Sequence, residues 1–518
     1  MSALINALSE AGYPVVLTSG PDAREKQMID TIMAGCPTAR LHSLAGLLTL
    51  RQLASVIDHA RLFIGVDSVP MHMAAALGTP LVALFGPSKL TFWRPWQAQG
   101  EVIWAGDFGS IPDPDDIDTN TNERFLDLIP TDAVIAAAKK GTGMSKFRLA
   151  LVRQKYRPDG GAERFVSRAL EALDDSDLEL NVITREWQGP VKPEWNIHIC
   201  NPRKWGRISR ERGFADAARQ LWQREAFDLV QSHERIPGCD LYRAGDGVHR
   251  RWLQQRSRIL PGWKSRLLFA DRYHRYVMQA ERDMYQDAHL RGVICNAEMI
   301  KREIIEDFAL PAEKIHVIYN AIDNQRFLPP TEEAFVALRA KWNLPRQATC
   351  LIYVGSGFER KGLDAAIRAI APTNRYLLVV GKDKEQGRYQ QLAKTLNCEE
   401  RVRFFGMQSE TLPFYQMADG LLLPTLYDPF PNVILEAMAC GLPVITTTGC
   451  GGAEFIVQGS NGYVCDALDI PALQESVNAL PARALGSAEG QRARERIMTC
   501  TSERLSAQLL SLYQDLVK

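Results

Sequence analysis

The chain has 518 residues and carries 61 basic and 61 acidic side chains, so its formal net charge is zero. Apolar residues make up 46% and charged residues 24% of the sequence, which is typical of globular proteins and excludes bulk disorder. At roughly 100–200 residues per domain, this length predicts about three or four domains.

The cysteines and the apolar runs indicate a cellular compartment. The ten cysteines form no C-x-x-C pair, and the N-terminus has no cationic region before an apolar run. No stretch reaches the ~18 apolar residues that a membrane-spanning helix needs. We therefore expect a reduced, cytoplasmic protein whose thiols are free, and any contact with a membrane to be peripheral.

The zero net charge is divided unevenly along the chain. Residues 1–143 hold 10 basic and 15 acidic residues, a net charge of −5, and residues 144–518 hold the remaining 51 and 46, a net charge of +5. The two regions are therefore electrostatically different.

In chain order, the first region alternates helices with short apolar strands. Helices are predicted at 2–12, 24–34, 50–59, 70–77 and 131–140, and strands at 13–20, 61–66 and 80–85. This alternation predicts a parallel sheet. Residues 106–130 are acidic and rich in proline, which predicts a surface loop.

A Gly-Thr-Gly run at 141–143 then leads to Met144 and a new apolar strand. It predicts a linker over 141–145 that contains the native start of a second protein; the alternative is an internal methionine. Strands predicted at 149–153, 178–184, 229–231, 292–295 and 315–319 define a first domain over 146–316. Strands predicted at 350–355, 376–381, 402–406, 420–424 and 443–447 define a second over 317–500. An amphipathic helix at 501–518 is expected to pack back on the first of these two domains.

The last domain contains the most specific motif. The run from Pro424 to Thr446 places Asp428 in a proline-rich loop and Glu436 two turns into the helix that follows. Backbone N–H groups at such a helix start bind phosphate oxygens. Asp428 is predicted to face a transferred sugar, and Glu436 to accept ribose hydroxyl groups. The alternative, an acid pair on a solvated helix face, does not explain the Gly-Leu-Pro-Val strand directly after it.

This run resembles the retaining glycosyltransferases of family 4, whose signature is Glu-x7-Glu before Ala-x-x-Gly-x-Pro-Val. The first position here is Asp428, which is one methylene shorter. The resemblance covers 144–518 and implies a GT-B fold, in which two Rossmann-like domains face each other across a cleft. Here a partial Rossmann-like domain precedes them.

The resemblance also assigns other residues of the last domain. Arg360 and Lys361 are expected to neutralise the leaving diphosphate without a metal. The further residues assigned to substrate binding are Phe430, Asn432, Val433 and Gly406. The glycine loop at 449–454 resembles the family's loop beside the donor sugar, with a plain turn as the alternative, and residues 320–327 match its domain crossing.

On the acceptor side, Gly160 and Gly161 form a turn that resembles the loop approaching the sugar phosphate. His233 and Asp246 lie in a dense polar run after a predicted strand, which resembles the family members that build the lipopolysaccharide inner core. His233 is assigned a catalytic-site role, and a structural hydrogen-bonding role is the alternative.

Residues 243–282 hold ten basic and three acidic side chains, a local charge of +7, with aromatic residues between them. This composition suits an anionic lipid surface. A solvated basic helix and, far less in this context, a nucleic-acid surface are the alternatives. The predicted membrane or acceptor surface consists of Arg250, Arg251, Trp252, Arg256, Arg258, Trp263, Lys264 and Arg266.

The first region carries a different motif. Asp67 and Ser68 precede a predicted helix that contains His72, and Gly78-Thr-Pro80 and Phe85-Gly-Pro-Ser88 follow. This run resembles the nucleotide-heptose transferases of family 9, over about residues 2–140, which correspond to the later part of that family's C-terminal domain. We therefore expect residues 1–140 to be a truncated fragment without heptose transfer.

Together the resemblances imply an enzyme that moves glucose, with retention, from UDP-glucose onto an inner-core heptose of lipopolysaccharide. They imply no metal and no cofactor beyond this donor substrate. The expected partners are the lipopolysaccharide core, the cytoplasmic face of the inner membrane and other core-assembly enzymes, and not nucleic acid. Two alternatives stay open: another nucleotide-sugar donor, and a non-catalytic membrane-surface partner.

Overall fold

The structure is a computed structural model that describes residues 1–117, 123–141, 147–156, 178–189, 195–481 and 486–517. The chain divides into two compact units, residues 1–146 and residues 147–518. Within the described ranges, no helix combines the length and the apolar character that crossing a membrane requires.

The first unit alternates helices and short strands, as predicted. Its strands are β1 (Val15–Leu17), β2 (Leu41–Ser43), β3 (Phe63–Val66), β4 (Leu81–Phe85) and β5 (Gly100–Trp104). Its α-helices are α1 (Ser2–Glu10), α2 (Ala23–Ala34), α3 (Leu50–Asp58), α4 (Val69–Leu77), α5 (Leu90–Trp93) and α6 (Thr131–Gly141). The predicted surface loop contains three short 3₁₀ turns, Ala105–Asp107, Pro114–Asp116 and Phe125–Leu128.

The described strands of this unit form two parallel sheets rather than one. β1 pairs with β2, and β4 lies between β3 and β5. Alternate residues of β4 face opposite layers: Val82 packs with Leu4 and Val134, whereas Ala83 packs with Met71. The central strand is thus covered on both faces, which explains its uninterrupted apolar sequence.

The second unit contains two large parallel sheets. The strands of its N-terminal half are β6 (Phe147–Val152), β7 (Lys155–Tyr156), β8 (Leu178–Thr184), β9 (Glu186–Trp187), β10 (Trp195–Ile199), β11 (Leu229–Ser232), β12 (Leu241–Arg243), β13 (Gly292–Cys295) and β14 (Ile315–Val317). Seven of them form one sheet in the order β10-β8-β6-β11-β12-β13-β14, and β7 pairs with β9. No strand was predicted at β7, β9, β10 or β12, because each is short or is interrupted by polar residues.

The C-terminal half has β15 (Cys350–Val354), β16 (Tyr376–Val380), β17 (Val402–Gly406), β18 (Gly420–Leu422), β19 (Val444–Thr447) and β20 (Gly462–Cys465). They form a sheet in the order β17-β16-β15-β18-β19-β20. All five residues of β15 are buried, as expected for a central strand covered by helices on both faces.

The described α-helices of this unit surround the two sheets. They are α7 (Gly206–Glu225), α8 (His249–Ser257), α9 (Gly262–Ala270), α10 (Arg272–Tyr285), α11 (Glu298–Phe308), α12 (Glu332–Lys341), α13 (Leu363–Ile370), α14 (Gln386–Thr395), α15 (Leu412–Gln416), α16 (Asn432–Ala439), α17 (Ile470–Ala479), α18 (Ala488–Ile497) and α19 (Ser502–Val517).

The last helix, α19, returns to the first large sheet. Leu509 and Leu512 pack in one cluster with Leu149 of β6. The Tyr513 hydroxyl donates to Oε1 of Gln231 on β11 at 2.6 Å. This helix therefore covers the face of the sheet opposite to the one on which α7 packs.

Candidate active site

Both large sheets reverse their strand order at one point. Numbered from their own first strands, each has the order 3-2-1-4-5-6 of Rossmann domains, and the first sheet adds a seventh strand. Ligands bind such sheets at the carboxyl ends of the strands beside the reversal. The two reversals lie between β6 and β11 and between β15 and β18.

At the first reversal, the register brings two polar residues together. Val152 pairs with Ser232, so Arg153 and His233 leave adjacent strand ends. The backbone N–H of His233 donates to the Val152 carbonyl at 2.9 Å. The predicted residue His233 therefore lies at the expected ligand edge of the sheet, beside an arginine.

At the second reversal, the three predicted catalytic residues of the donor side meet. Nζ of Lys361 lies 2.5 Å from Oδ2 of Asp428, and Nη2 of Arg360 lies 3.8 Å from the same oxygen. The side chains of Asp428 and Lys361 are 7% and 12% exposed, whereas that of Arg360 is 42% exposed. Asp428 thus holds the lysine in place, whereas the arginine stays half-buried at the edge of the pair.

Glycine at position 362 allows the two loops to come this close. Its φ is +74°, and a Cβ there would lie 1.8 Å from the Pro424 carbonyl oxygen. The Arg360 carbonyl also accepts from the Leu426 N–H at 2.9 Å and from the Thr425 hydroxyl at 3.0 Å. Any side chain at 362 would separate the basic loop from the Asp428 loop.

A cleft of about 320 Å³ connects the two strand edges. Its lining consists of Arg153, His233, Arg243, Gly245, Asp246, Asn296, Asn320, Arg360, Lys361, Asp428, Phe430, Pro431 and Asn432. Four of these side chains are cationic and two are carboxylates. A site with this excess of arginine and lysine suits a diphosphate, because both cations form charge-assisted hydrogen bonds to phosphate oxygens.

His233 is neutral in this cleft. It is 6% exposed, and burial together with Arg243 and Arg153 lowers the pKa of its imidazole well below the usual value. Its Nε2 lies 3.0 Å from Nε2 of Gln231, whose oxygen accepts from Tyr513. The network therefore assigns the ring proton to Nδ1 and makes His233 a hydrogen-bonding group without charge.

A chain of hydrogen bonds crosses the cleft at the start of α16. Nη2 of Arg243 donates to Oδ1 of Asn320 at 3.1 Å, and Nδ2 of Asn320 donates to Oδ1 of Asn432 at 2.7 Å. Phe430 and Asn432, both predicted, line the cleft beside this chain. Val433 follows them and is not part of the lining.

Two further predicted residues lie away from the cavity lining. Glu436 is 5% exposed and accepts from the Tyr415 hydroxyl at 2.8 Å. Gly406 ends β17 with a φ of +69° and open space where a Cβ would stand. The assigned contact of Glu436 with ribose and the assigned substrate-binding role of Gly406 stay predictions.

On the acceptor side, Asp246 is exposed and lines the cleft next to Gly245. The predicted glycine turn, Gly160 and Gly161, lies outside the described residues.

Among the lining residues that the sequence did not identify as site residues are Arg153, Arg243 and Asn296. Each stands at or directly after the carboxyl end of a strand, β6, β12 and β13 respectively. A polar side chain at the end of a buried apolar run is the signal that identifies them.

The predicted basic surface is only partly open. Arg251 pairs with Asp307, Arg256 with Glu359 and Arg258 with Asp466, at 2.7–3.0 Å. Trp252 packs against the main core. The other four predicted residues, Arg250, Trp263, Lys264 and Arg266, are exposed.

In the first unit, Asp67, Ser68 and His72 lie together where β3 leads into α4. All three are half-buried. The Ser68 hydroxyl donates to the Val66 carbonyl at 3.1 Å and does not cap the helix.

Models of three families match successive parts of the chain. Residues 2–122 match glycosyltransferase family 9 (heptosyltransferase), residues 159–326 match glycosyltransferase family 4, and residues 335–485 match glycosyl transferases group 1.

Two curated relatives illustrate the division. Lipopolysaccharide heptosyltransferase 3 of Escherichia coli is 49% identical over 139 residues, which are 27% of this chain and 40% of that protein. Lipopolysaccharide glucosyltransferase WaaG of Escherichia coli (strain K12) is 25% identical over 347 residues, 65% of this chain and 89% of that protein. The first region therefore spans less than half the length of the heptosyltransferase it matches.

The crystal structure of WaaG superposes with a TM-score of 0.61 at 23% identity, covering 70% of this chain and 99% of that one. The second unit accordingly has the GT-B fold of glycosyltransferases, with its cleft between two Rossmann-like domains. In the chain as a whole, a region similar to heptosyltransferase 3 precedes a region similar to WaaG.

Proposed function

We propose that the second unit is a retaining glycosyltransferase that moves glucose from UDP-glucose onto an inner-core heptose of lipopolysaccharide. The observation that carries the proposal is the cationic cleft in which Arg360, Lys361 and Asp428 meet between the two domains. The similarity to a lipopolysaccharide glucosyltransferase over most of that protein's length supports glucose as the transferred sugar and lipopolysaccharide as the acceptor.

In the proposed reaction, the bond from the glucose C1 to the donor phosphate oxygen breaks. The acceptor hydroxyl oxygen attacks C1 on the same face, and its proton passes to the departing phosphate oxygen. Arg360 and Lys361 stabilise the negative charge that develops on the diphosphate, which is electrostatic stabilisation by preorganised donors. No metal is assigned to this step.

Asp428 and His233 have positioning tasks in this proposal. Asp428 fixes the ammonium of Lys361 and accepts from hydroxyl groups of the transferred sugar. Neutral His233 binds a hydroxyl group on the acceptor side of the cleft, since its lowered pKa makes it a poor source of positive charge. Asp246 provides an exposed carboxylate for hydroxyl groups of the acceptor.

We further propose that α9 contacts the anionic cytoplasmic surface of the inner membrane, where the lipid-linked acceptor lies. Trp263 and Leu267 are 63% and 60% exposed, and Lys264 and Arg266 are exposed on the same short helix. Aromatic and basic residues together favour binding to anionic headgroups. The protein would then be peripheral on this membrane, close to other core-assembly enzymes.

The deciding experiment is a donor screen on heptosylated lipopolysaccharide lacking its glucose. The 518-residue chain is incubated with UDP-glucose, UDP-galactose or UDP-N-acetylglucosamine, and the anomeric configuration of the product is read by NMR. Transfer from UDP-glucose with an α-linkage supports the proposal. Preference for another donor would leave the enzyme class intact and change the substrate, and a β-linked product would contradict retention.

A further inference from the structure

Tyr427 is buried between the two domains of the second unit, directly before Asp428. Its ring is 2% exposed. Its hydroxyl donates to Oε2 of Glu303 on α11 at 2.7 Å and accepts from the backbone N–H of Val248 at 2.8 Å. Both partners belong to the acceptor-side domain, whereas Tyr427 follows a strand of the donor-side domain.

The loop that contains Gly247 leaves space for the Tyr427 hydroxyl. Gly247 has a φ of +68°, and a Cβ there would lie 2.3 Å from the Tyr427 hydroxyl oxygen. The Gly247 carbonyl accepts from Nη2 of Arg235 at 3.1 Å, and Nε of Arg235 donates to buried Glu281 at 2.8 Å. Arg235 and Glu281 therefore fix the position of the loop that the Tyr427 hydroxyl contacts.

The contact also has a rigid attachment on the donor side. The Asp428 N–H donates to the Gly449 carbonyl at 2.9 Å, and the Asp428 carbonyl accepts from the Gly451 N–H at 2.9 Å. Because Tyr427 and Asp428 are consecutive residues, a displacement of Tyr427 also displaces the Asp428 backbone.

We infer that Tyr427 is a positioning residue of the transfer reaction, whose hydroxyl sets the separation between Asp428 on the donor side and Asp246 on the acceptor side. Asp428 follows Tyr427 in sequence, and Asp246 precedes Gly247, so each carboxylate stands next to one half of the contact. The inference rests on the proposed function. The inference goes beyond the proposed function, because it assigns a role to a residue that contacts neither substrate.

The test uses the full chain with Tyr427→Phe, which keeps the ring and removes both hydrogen bonds. Tyr285→Phe is the matched control, because the Tyr285 hydroxyl is buried with no hydrogen-bond partner among the described residues. Hydrogen–deuterium exchange of the Val248 amide, with UDP present, reports the contact without turnover. We expect faster exchange in Tyr427→Phe and no change in Tyr285→Phe.

Kinetics then separates positioning from mere packing. The loss of this buried hydrogen bond predicts a fall in kcat of about tenfold in Tyr427→Phe. The KM for UDP-glucose should stay within about twofold, since no donor contact is removed. Glu303→Gln, which retains an acceptor oxygen, should keep more activity than Glu303→Leu, and this pair decides the matter if Tyr427→Phe does not fold.

Unchanged Val248 exchange, or unchanged kcat despite faster exchange, would overturn the inference. If the wild-type chain transfers no glucose at all, the proposed function fails on its own. The exchange measurement then still decides whether Tyr427 holds the two loops together.

Discussion

The ammonium group of Lys361 lies 2.5 Å from Oδ2 of Asp428, although 67 positions separate the two residues. The pair joins the loop after β15 to the loop after β18 at the point where the strand order of the sheet reverses. The carboxylate holds the ammonium group at a fixed position beside the cleft, and Arg360 next to the pair gives the cluster a net positive charge that suits an anionic group.

Replacement of Lys361 by alanine should therefore reduce kcat by about 10²–10³-fold, the usual effect of removing one preorganised charge donor. Lys361→Arg should retain part of the activity, because the positive charge is kept but the length and shape of the side chain change. Lys394→Ala, in an exposed position of α14, is the control and should have wild-type kcat. A Lys361→Ala enzyme with kcat near the wild-type value would remove this lysine from the mechanism.

Glu303 should make the folded state sensitive to pH. Burial raises the pKa of its carboxyl group to about 7, against the opposing effects of the Tyr427 hydroxyl and Arg251, and with Asp307 and Glu306 adding to the rise. The folded state then binds a proton more tightly than the unfolded state between about pH 4.5 and pH 7. Stability from this group is fully present below that range and is lost as the pH rises through it.

We expect Glu303→Gln to flatten this part of the stability profile. The measurement is the midpoint of thermal unfolding of the full chain at pH values from 4.5 to 8, compared with wild type. Parallel profiles for the two proteins would mean that the Glu303 carboxyl does not titrate in this range.

The Arg339–Asp419 ion pair should be a major contributor to stability. Its atoms Nη2 and Oδ2 lie 2.7 Å apart, and the two side chains are 2% and 1% exposed. Oδ2 of Asp419 also accepts from the Cys350 N–H at 2.7 Å, which fixes the start of β15. Removing one partner leaves an unpaired buried charge. Arg339→Met should therefore lower the free energy of unfolding by about 3–5 kcal/mol.

The control for this prediction is the exposed pair of Arg368 and Asp364, whose side chains are 43% and 44% exposed. Arg368→Ala should lower the free energy of unfolding by about 0.5 kcal/mol or less. Urea unfolding, followed by tryptophan fluorescence, measures both. Equal costs for the two variants would refute the role of burial.

Membrane binding should depend on α9. Trp263→Ala combined with Leu267→Ala should weaken binding to vesicles that contain phosphatidylglycerol, and binding of the wild type should fall at high salt because the headgroup attraction is screened. Trp205→Ala removes an 87% exposed tryptophan outside the basic segment and should leave binding unchanged. If all three substitutions weaken binding equally, α9 is not the contact surface.

The first unit should be dispensable for glucose transfer. Residues 144–518 include all the lining residues of the cleft, so their kcat should lie within about twofold of that of the full chain. The full chain should also transfer no heptose from ADP-heptose, since the first region covers only 40% of the heptosyltransferase it matches. Loss of glucose transfer on truncation, or detection of heptose transfer, would each contradict one half of this prediction.

The sequence by itself determined the parallel α/β architecture and predicted the residues of the donor side of the site. A strand such as β15 is a short run of apolar residues, which predicts a buried strand without knowledge of the rest of the fold. Arg360, Lys361 and Asp428 follow such runs closely enough for local motifs to identify them. What decides these features is local: the period of apolar residues, and the loops that end them.

Only the tertiary structure decided how the two halves of the cleft are joined. Arg243 begins the basic segment 243–282, yet it is 4% exposed and lines the cleft, while Arg251 and Arg258 are paired with distant carboxylates. The contact of Tyr427 with Glu303 spans 124 positions. Such pairings depend on strand order and on the approach of two domains, and neither leaves a periodic signal in the chain.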